Sequence, residues 1–329
     1  MKAVVITCAG GPEVLELREV PEPKPGSAEI LVHVRASALN RADLLQRQGR
    51  YPPPAGAPKE IPGLEFAGEV AENGEEASRW RTGQRVFGIV GGGAHAEYLV
   101  NHEGAVAEIP DNLSWQQAAA IPEVFITAHD ALWKQARLAA GESVVIHAVG
   151  SGVGLAAVQL VRARHARAYG TSRTPDKLAR AREFGMIDGV VIRDSFAPLT
   201  EAAQMWSGGK GIDVVLDLVG GDYVAASVEV MAVRGRIMLV GTVGGTRVEL
   251  NLGRVLGKRL ELRGTVLRSR SVEEKIAVTQ AFAEEVVPLF ASGTLRAAID
   301  SEFPLEQIQA AHRRLESDKV FGKVVLRVS

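Results

Sequence analysis

Apolar residues follow two different rhythms along the chain. In the first third, runs such as "KAVVIT", "VLELREV", "EILVHVRASA", "EFAGEVAE", "QRVFGIV" and "AEYLVN" alternate apolar and polar positions or concentrate β-branched residues, and Pro, Gly or Asn bounds them. Punctuated runs of this kind predict strands, hence a β-dominated domain. Near Trp115 the period changes: "SWQQAAAIPEVFITAHDALWKQARL" spaces its apolar residues as a helix does, with Ser114 as N-cap and Pro122 as an interruption.

From Ser143 the pattern becomes apolar strand, then amphipathic helix, repeated. Six segments, "SVVIHA", "ARAYGTS", "GVVIR", "IDVVLDL", "GRIMLVG" and "LELRGTV", are separated by stretches such as "GVGLAAVQLVRAR", "TPDKLARAREF" and "FAPLTEAAQMW". This alternation predicts an α/β domain with a parallel, doubly wound sheet. Further helical segments follow Leu267, and the chain ends on a strand, "GKVVLRV".

With 329 residues and 46% hydrophobic content, the chain is long and apolar enough for two domains, each with its own core. A net charge of −1 offers no attraction to nucleic acid or an anionic membrane. No apolar run reaches membrane-spanning length and no signal peptide is apparent, so a cytoplasmic protein is expected. The one cysteine, Cys8, excludes an internal disulfide and a multi-thiolate zinc site; its place in "AVVITC" suggests a packed strand residue.

The densest chemical signal is "VVIHAVGSGVGLAAVQL". Gly150, Ser151, Gly152, Val153 and Gly154 follow an apolar strand and open a helix, the arrangement that lets backbone approach a pyrophosphate at a helix N-terminus. The spacing departs from G-x-G-x-x-G, because Leu155 stands at its last position. About 20 residues on, where an acid would hold the ribose of NAD, Ser172, Arg173 and Lys177 stand instead. A guanidinium and an ammonium suit a 2′-phosphate, hence NADPH; the bland alternative is a solvated basic turn. The seven histidines form no metal-ligating spacing, and His147, beside the glycine turn, is expected to be packed and hydrogen-bonded.

Segments throughout the chain, "ALNRADLLQRQGRYPPP", "IPGLEFAGEV", "AAAIPEVFITAHDAL", "VIHAVGSGVG", "VLDLVGG", "LRSRS" and "GKVVL", resemble the zinc-independent quinone oxidoreductases, the zeta-crystallin-like branch of the medium-chain dehydrogenases/reductases. The resemblance implies a GroES-like β-domain from residues 1–122 and 268–329, around a Rossmann domain, 123–267. Where zinc-dependent relatives carry ligands, this chain has "NRAD" and "GLE", with Leu64 in the histidine position, so no metal is expected. Asn40, Asp43 and Tyr51 match the family's active-site loop, and Thr127 matches a residue near the nicotinamide. Gly152, Val153 and Gly154 match the pyrophosphate turn, and Ser172 and Lys177 match contacts to the 2′-phosphate. Gly220, Gly241 and Val266, Leu267 and Arg268 match backbone along the nicotinamide half, and Lys323 matches a C-terminal cofactor contact. One departure is Ile192, where relatives often carry a tyrosine that contacts the adenine side; Arg193 is the neighbouring candidate for that contact.

The resemblance implies metal-free reduction of a quinone by NADPH, in a homodimer whose chains pair through the edge of the cofactor sheet around "LELRGTVL". Two readings compete with it: reduction of α,β-unsaturated carbonyls, and NADPH binding without catalysis. Three site residues also have plainer roles open to them. Tyr51 is either a positioning group at the developing oxyanion or an aromatic anchor for the Pro52 to Pro54 turn. Asn40 either orients a ligand or bonds its own loop, and Asp43 either faces the site or caps "DLLQRQG".

Overall fold

The computed structural model describes residues 1–328 and separates into two compact units, one of Met1–Ile126 with the chain from Leu267 onward, the other of Thr127–Val266. The boundary falls inside the helix Pro122–His129.

In the second unit, all six predicted strands form: Ser143–Ile146, Arg167–Ser172, Asp188–Val191, Ile212–Asp217, Met231–Leu239 and Glu261–Gly264. They pair in parallel throughout, in the order third, second, first, fourth, fifth, sixth. The reversal beside the first strand makes this a doubly wound sheet, and ligands of such sheets bind off the strand C-termini at the reversal. Ser143–Ile146 is buried along its whole length, as a central strand covered on both faces must be. Val145, Tyr169, Ile192, Leu199, Val215 and Ile237 belong to its core. Two helices went unread in the sequence. Asp222–Val230 is apolar on several sides, and Leu252–Lys258 is short, contains two glycines and buries none of its residues.

The first unit contains a seven-stranded sheet in which Ile299–Pro304, Lys323–Arg327, Glu29–Ala38, Glu65–Asn73, Arg85–Ile89 and Val106–Glu108 are successive neighbours, with Tyr98–His102 also pairing to Glu29–Ala38. Ile30, Val32, Val34, Phe66, Val86, Val324 and Leu326 pack in its core. The C-terminal strand lies antiparallel to Glu29–Ala38, with Val325 opposite Ala38. That pairing brings Lys323 beside the loop that follows Ala38. Ser114 caps as expected, accepting from Gln117 N at 3.2 Å while Gln117 Oε1 accepts from Ser114 N at 2.9 Å. Cys8 is a correction: the strand Lys2–Ile6 ends before it, and the thiol is exposed in the following turn.

Candidate functional site

The opening loop of the helix Arg41–Arg47 feeds a buried polar cluster in the first unit. Asp43 is wholly buried; its Oδ2 accepts from Asn40 N at 2.7 Å and its Oδ1 from Gly63 N at 3.0 Å. The carboxylate therefore caps the helix start and pins a second loop, the plainer of the two roles open to it. Asn40 is half-buried: its amide donates to Glu65 Oε1 at 2.9 Å, and its Oδ1 accepts from Lys323 Nζ at 2.7 Å. Lys323 is 4% exposed, and its ammonium also donates to Leu39 O at 2.6 Å and Glu65 Oε1 at 2.6 Å. Three donors thus meet three acceptors, and the ammonium retains no proton for a phosphate. Lys323 is accordingly a counter-ion for buried Glu65, which departs from the cofactor contact the resemblance implies.

Tyr51 lies on the loop beyond that helix, half-buried, with the Arg268 guanidinium 4.9 Å from its ring centroid. Arg268 is itself 5% exposed and acts as a strut: it donates to Tyr51 O at 3.1 Å, to Gly91 O at 2.9 Å, and to Gln46 Oε1. Burial raises the Tyr51 phenol pKa and the Arg268 charge opposes the rise, so the hydroxyl stays protonated at neutral pH. The Arg268 side chain was not expected to act; only its backbone was.

Glu123 was also missed. Its backbone N–H donates to Glu65 Oε2 at 2.9 Å, which brings two carboxyls together. Burial first, then the neighbouring Glu65 charge, push the Glu123 carboxyl up to about 8, so it carries a proton at neutral pH. The only signal in the sequence was an acid just inside a helix start after Pro122, and that pattern is ordinary in surface helices.

In the second unit the glycine turn is built as predicted. Ser151 caps the helix Gly152–Ala163 by accepting from Gly154 N at 3.1 Å. A Cβ on Gly154 would lie 2.5 Å from Val149 O, so only glycine permits this approach of helix to turn. Ala148, at the turn's entry, takes φ +52°, a left-handed conformation costly for a residue with a side chain and a pattern found at functional turns. The Lys177 stem lies over Gly150, its Cδ 2.9 Å from where a Cβ would stand. Arg173 and Arg193 are exposed, and Arg193 Nε donates to Arg173 O at 3.1 Å. Ser172 is buried and accepts from Thr174 N at 3.2 Å. Ser172, Arg173 and Lys177, expected at a 2′-phosphate, thus follow one another from the end of the second strand into the next helix, and Arg193, the adenine-side candidate, comes from the segment after the third strand. Ile192 is 1% exposed and part of the core. Gly220 takes φ +74°, and a Cβ on Gly241 would meet Leu218 O at 2.6 Å, so both turns after the fourth and fifth strands require glycine. Thr127 is buried and Val266 exposed.

His147 is packed and bonded as expected, with Nδ1 2.9 Å from Thr171 Oγ1 and Nε2 2.9 Å from Ser227 Oγ. Ser227 spends its proton on Tyr223 O at 2.7 Å, so His147 Nε2 carries the proton and Nδ1 accepts. Burial without a charged partner drives the ring down to about 3, and it stays neutral.

A two-domain fold with a nucleotide-type glycine turn on a doubly wound sheet defines a dinucleotide-dependent oxidoreductase class. Residues 26–111 match the alcohol dehydrogenase GroES-like domain family and residues 189–326 the zinc-binding dehydrogenase family. The quinone oxidoreductase of Lama guanicoe is 34% identical over 99% of this chain and 97% of its own length. That of Pseudomonas aeruginosa is 33% identical over 99% of both. The structure of Escherichia coli quinone oxidoreductase complexed with NADPH superposes with a TM-score of 0.88 at 29% identity, covering 99% of this chain and 100% of that one. The chain belongs to the medium-chain dehydrogenases/reductases of the quinone oxidoreductase type.

Zinc-binding dehydrogenases would carry a metal, and the donor set here does not fit one. Among the described residues, no group of three or more His, Cys, Asp or Glu side chains is placed to hold a metal ion. Between Asn40 and Glu65 the positive charge is supplied by Lys323.

Proposed function

We propose that this protein is an NADPH-dependent quinone oxidoreductase. The observation that carries the reading is the glycine cradle at Gly154, which a Cβ would fill, with Lys177 laid over Gly150 and Arg173 close by in sequence. A dinucleotide's pyrophosphate fits the first feature and a 2′-phosphate the second.

In this reading Ser151, Gly152, Val153 and Gly154 hold the pyrophosphate, Ser172, Arg173 and Lys177 face the 2′-phosphate, and Arg193 stands on the adenine side. Thr127, Gly220, Gly241 and the backbone of Val266, Leu267 and Arg268 line the nicotinamide half. Bound NADPH supplies the hydride. A quinone is already electrophilic, so the chain's task is to hold the acceptor and exclude water. Tyr51 donates a hydrogen bond to the oxygen on which negative charge develops, and Arg268 holds the Tyr51 loop in place. Asn40, a partly exposed polar group at the start of the helix Arg41–Arg47, faces the ligand, and Asp43 sets the shape of that helix start from within.

The partner is a small-molecule quinone or a related enone. Among the described residues, no helix is long and apolar enough to cross a membrane. The protein acts as a homodimer in this proposal, through the edge strand Glu261–Gly264, whose four residues are all exposed. Leu262 at 49%, Leu256 at 80% and Leu252 at 71% exposure supply the apolar surface that a second copy would cover. Sedimentation of wild type and Leu262→Glu tests it; a monomeric wild type at micromolar concentration overturns it.

The activity is tested by following oxidation of NADPH and NADH with 1,2-naphthoquinone in the presence of EDTA. Rapid, NADPH-selective turnover supports the proposal. Binding without quinone-dependent oxidation, followed by turnover of an alkenal, would move the substrate class to enones.

A further inference from the structure

The adenine side of the proposed cofactor site lacks the tyrosine that the resemblance leads one to expect after the third strand. Ile192, in that position, is buried in the core with Tyr169 and Leu199. A phenol nevertheless stands in the same region, supplied by a different element. Tyr223 is in the first turn of the helix Asp222–Val230 and is half-buried.

Two rings fix its place. The Tyr223 ring meets Phe196 edge-to-face at 4.9 Å, and Phe196 immediately precedes the helix after the third strand. It meets His147 edge-to-face at 4.8 Å, and His147 stands between the first strand and the glycine turn. His147 is held in turn by Thr171, the residue before Ser172, and by Ser227, whose hydroxyl donates to Tyr223 O. Three of the loops at the strand C-termini are thereby tied to one tyrosine. Burial raises the pKa of its phenol, and the Arg173 charge opposes that rise. The hydroxyl is therefore a protonated donor within reach of the Arg173 field. Packing alone would explain an aromatic ring here, but phenylalanine would pack equally well between Phe196 and His147. The hydroxyl remains to be accounted for, in a partly exposed position on the helix after the fourth strand, within the field of a guanidinium expected to meet a phosphate.

We propose that Tyr223 is a cofactor-specificity residue, its hydroxyl donating a hydrogen bond to the adenosine 2′-phosphate alongside Arg173, while its ring and Phe196 form an apolar wall for the adenine. The proposal rests on the NADPH reading above. It makes this chain's phosphate site a composite of the loops after the second and fourth strands.

Isothermal titration of the full chain with 2′,5′-ADP and with 5′-AMP tests it without any acceptor. Wild type is expected to bind 2′,5′-ADP at least about tenfold more tightly than 5′-AMP, as a hydrogen-bonded charge requires. Tyr223→Phe, which keeps the ring, should weaken 2′,5′-ADP by about tenfold and leave 5′-AMP within about twofold. Tyr223→Ala should weaken both. A Tyr223→Phe protein that melts as wild type and binds both nucleotides unchanged overturns the proposal while leaving NADPH selectivity intact. A wild type that does not distinguish the nucleotides overturns the NADPH preference and, with it, the role of Tyr223.

Discussion

Charge is used in opposite ways in the two units. In the first, Glu65 and Asp43 are wholly buried, Lys323 is 4% and Arg268 5% exposed, and their charges meet polar groups of the same unit. In the second, Arg173 and Arg193 are exposed around a turn made of backbone and small side chains. One arrangement has been satisfied by folding, and its members hold loops in place. The other presents cations to solvent and, under the proposed function, would meet the cofactor's 2′-phosphate. Substitutions in the first should therefore appear mainly as lost stability, and in the second as lost affinity.

Lys323→Ala puts the strongest pressure on that contrast. It leaves Glu65 with two neutral hydrogen-bond donors and no counter-ion in a site closed to water, a change that costs about 3–5 kcal/mol when a buried pair is broken. Thermal unfolding should show the loss, while titration with 2′,5′-ADP should show wild-type affinity. Unchanged melting with weakened nucleotide binding would reverse the assignment and restore Lys323 as a cofactor contact.

Arg173→Ala is the matching change in the other unit. Losing a charged partner to a phosphate costs about 1.5–3 kcal/mol of binding, so the NADPH Michaelis constant should rise by about tenfold or more. That for NADH should hold steady, and melting should stay within about 0.5 kcal/mol, as for other exposed positions. If both cofactors were affected equally, the basic turn would be general electrostatics rather than recognition of the 2′-phosphate.

Glu123 sharpens the comparison through pH. Its carboxyl is raised from 4.5 to about 8 in the folded chain, so between those values the folded state holds a proton that the unfolded state has released. Stability from this group is full below the unfolded value and is lost as pH rises through the folded one. Between pH 6 and pH 9, wild type should lose about 1–2 kcal/mol more than Glu123→Gln, allowing for its partial exposure. Denaturant titrations at the two pH values measure the difference; parallel losses would mean the carboxyl is already ionised at neutral pH.

The contrast also marks what could be read from the sequence. The six parallel strands, the glycine turn and the basic residues after the second strand are local patterns, each legible within a score of residues. The buried cluster is not local: Asn40 and Lys323 are 283 positions apart, and only the antiparallel pairing of the C-terminal strand with Glu29–Ala38 joins them. Cys8 shows the same limit from the other side. The apolar run "AVVIT" marks a strand correctly, but where the strand stops, and hence whether the thiol is covered, depends on pairing with Leu15–Glu19, which ends at Ile6 opposite Leu15. Tyr223 was silent because its helix lacks a clean apolar stripe, and its neighbours Phe196 and His147 come from other loops.

Tyr51 carries the smallest expected effect and separates positioning from acid catalysis. Its backbone carbonyl, not its hydroxyl, is what Arg268 holds, so Tyr51→Phe keeps both the strut and the stacked ring. A hydroquinone anion takes its proton from water unaided, so turnover of a quinone should fall by less than about threefold, about 0.6 kcal/mol in barrier. An enone leaves a carbon-centred anion whose neighbouring oxygen depends more on a donor, so the same variant should lose more with an alkenal than with the quinone. A hundredfold fall with the quinone would mean that the phenol is the proton source. The first unit would then hold a reactive group among its fixed ones, and the division between a site that positions and a site that recognises would no longer stand.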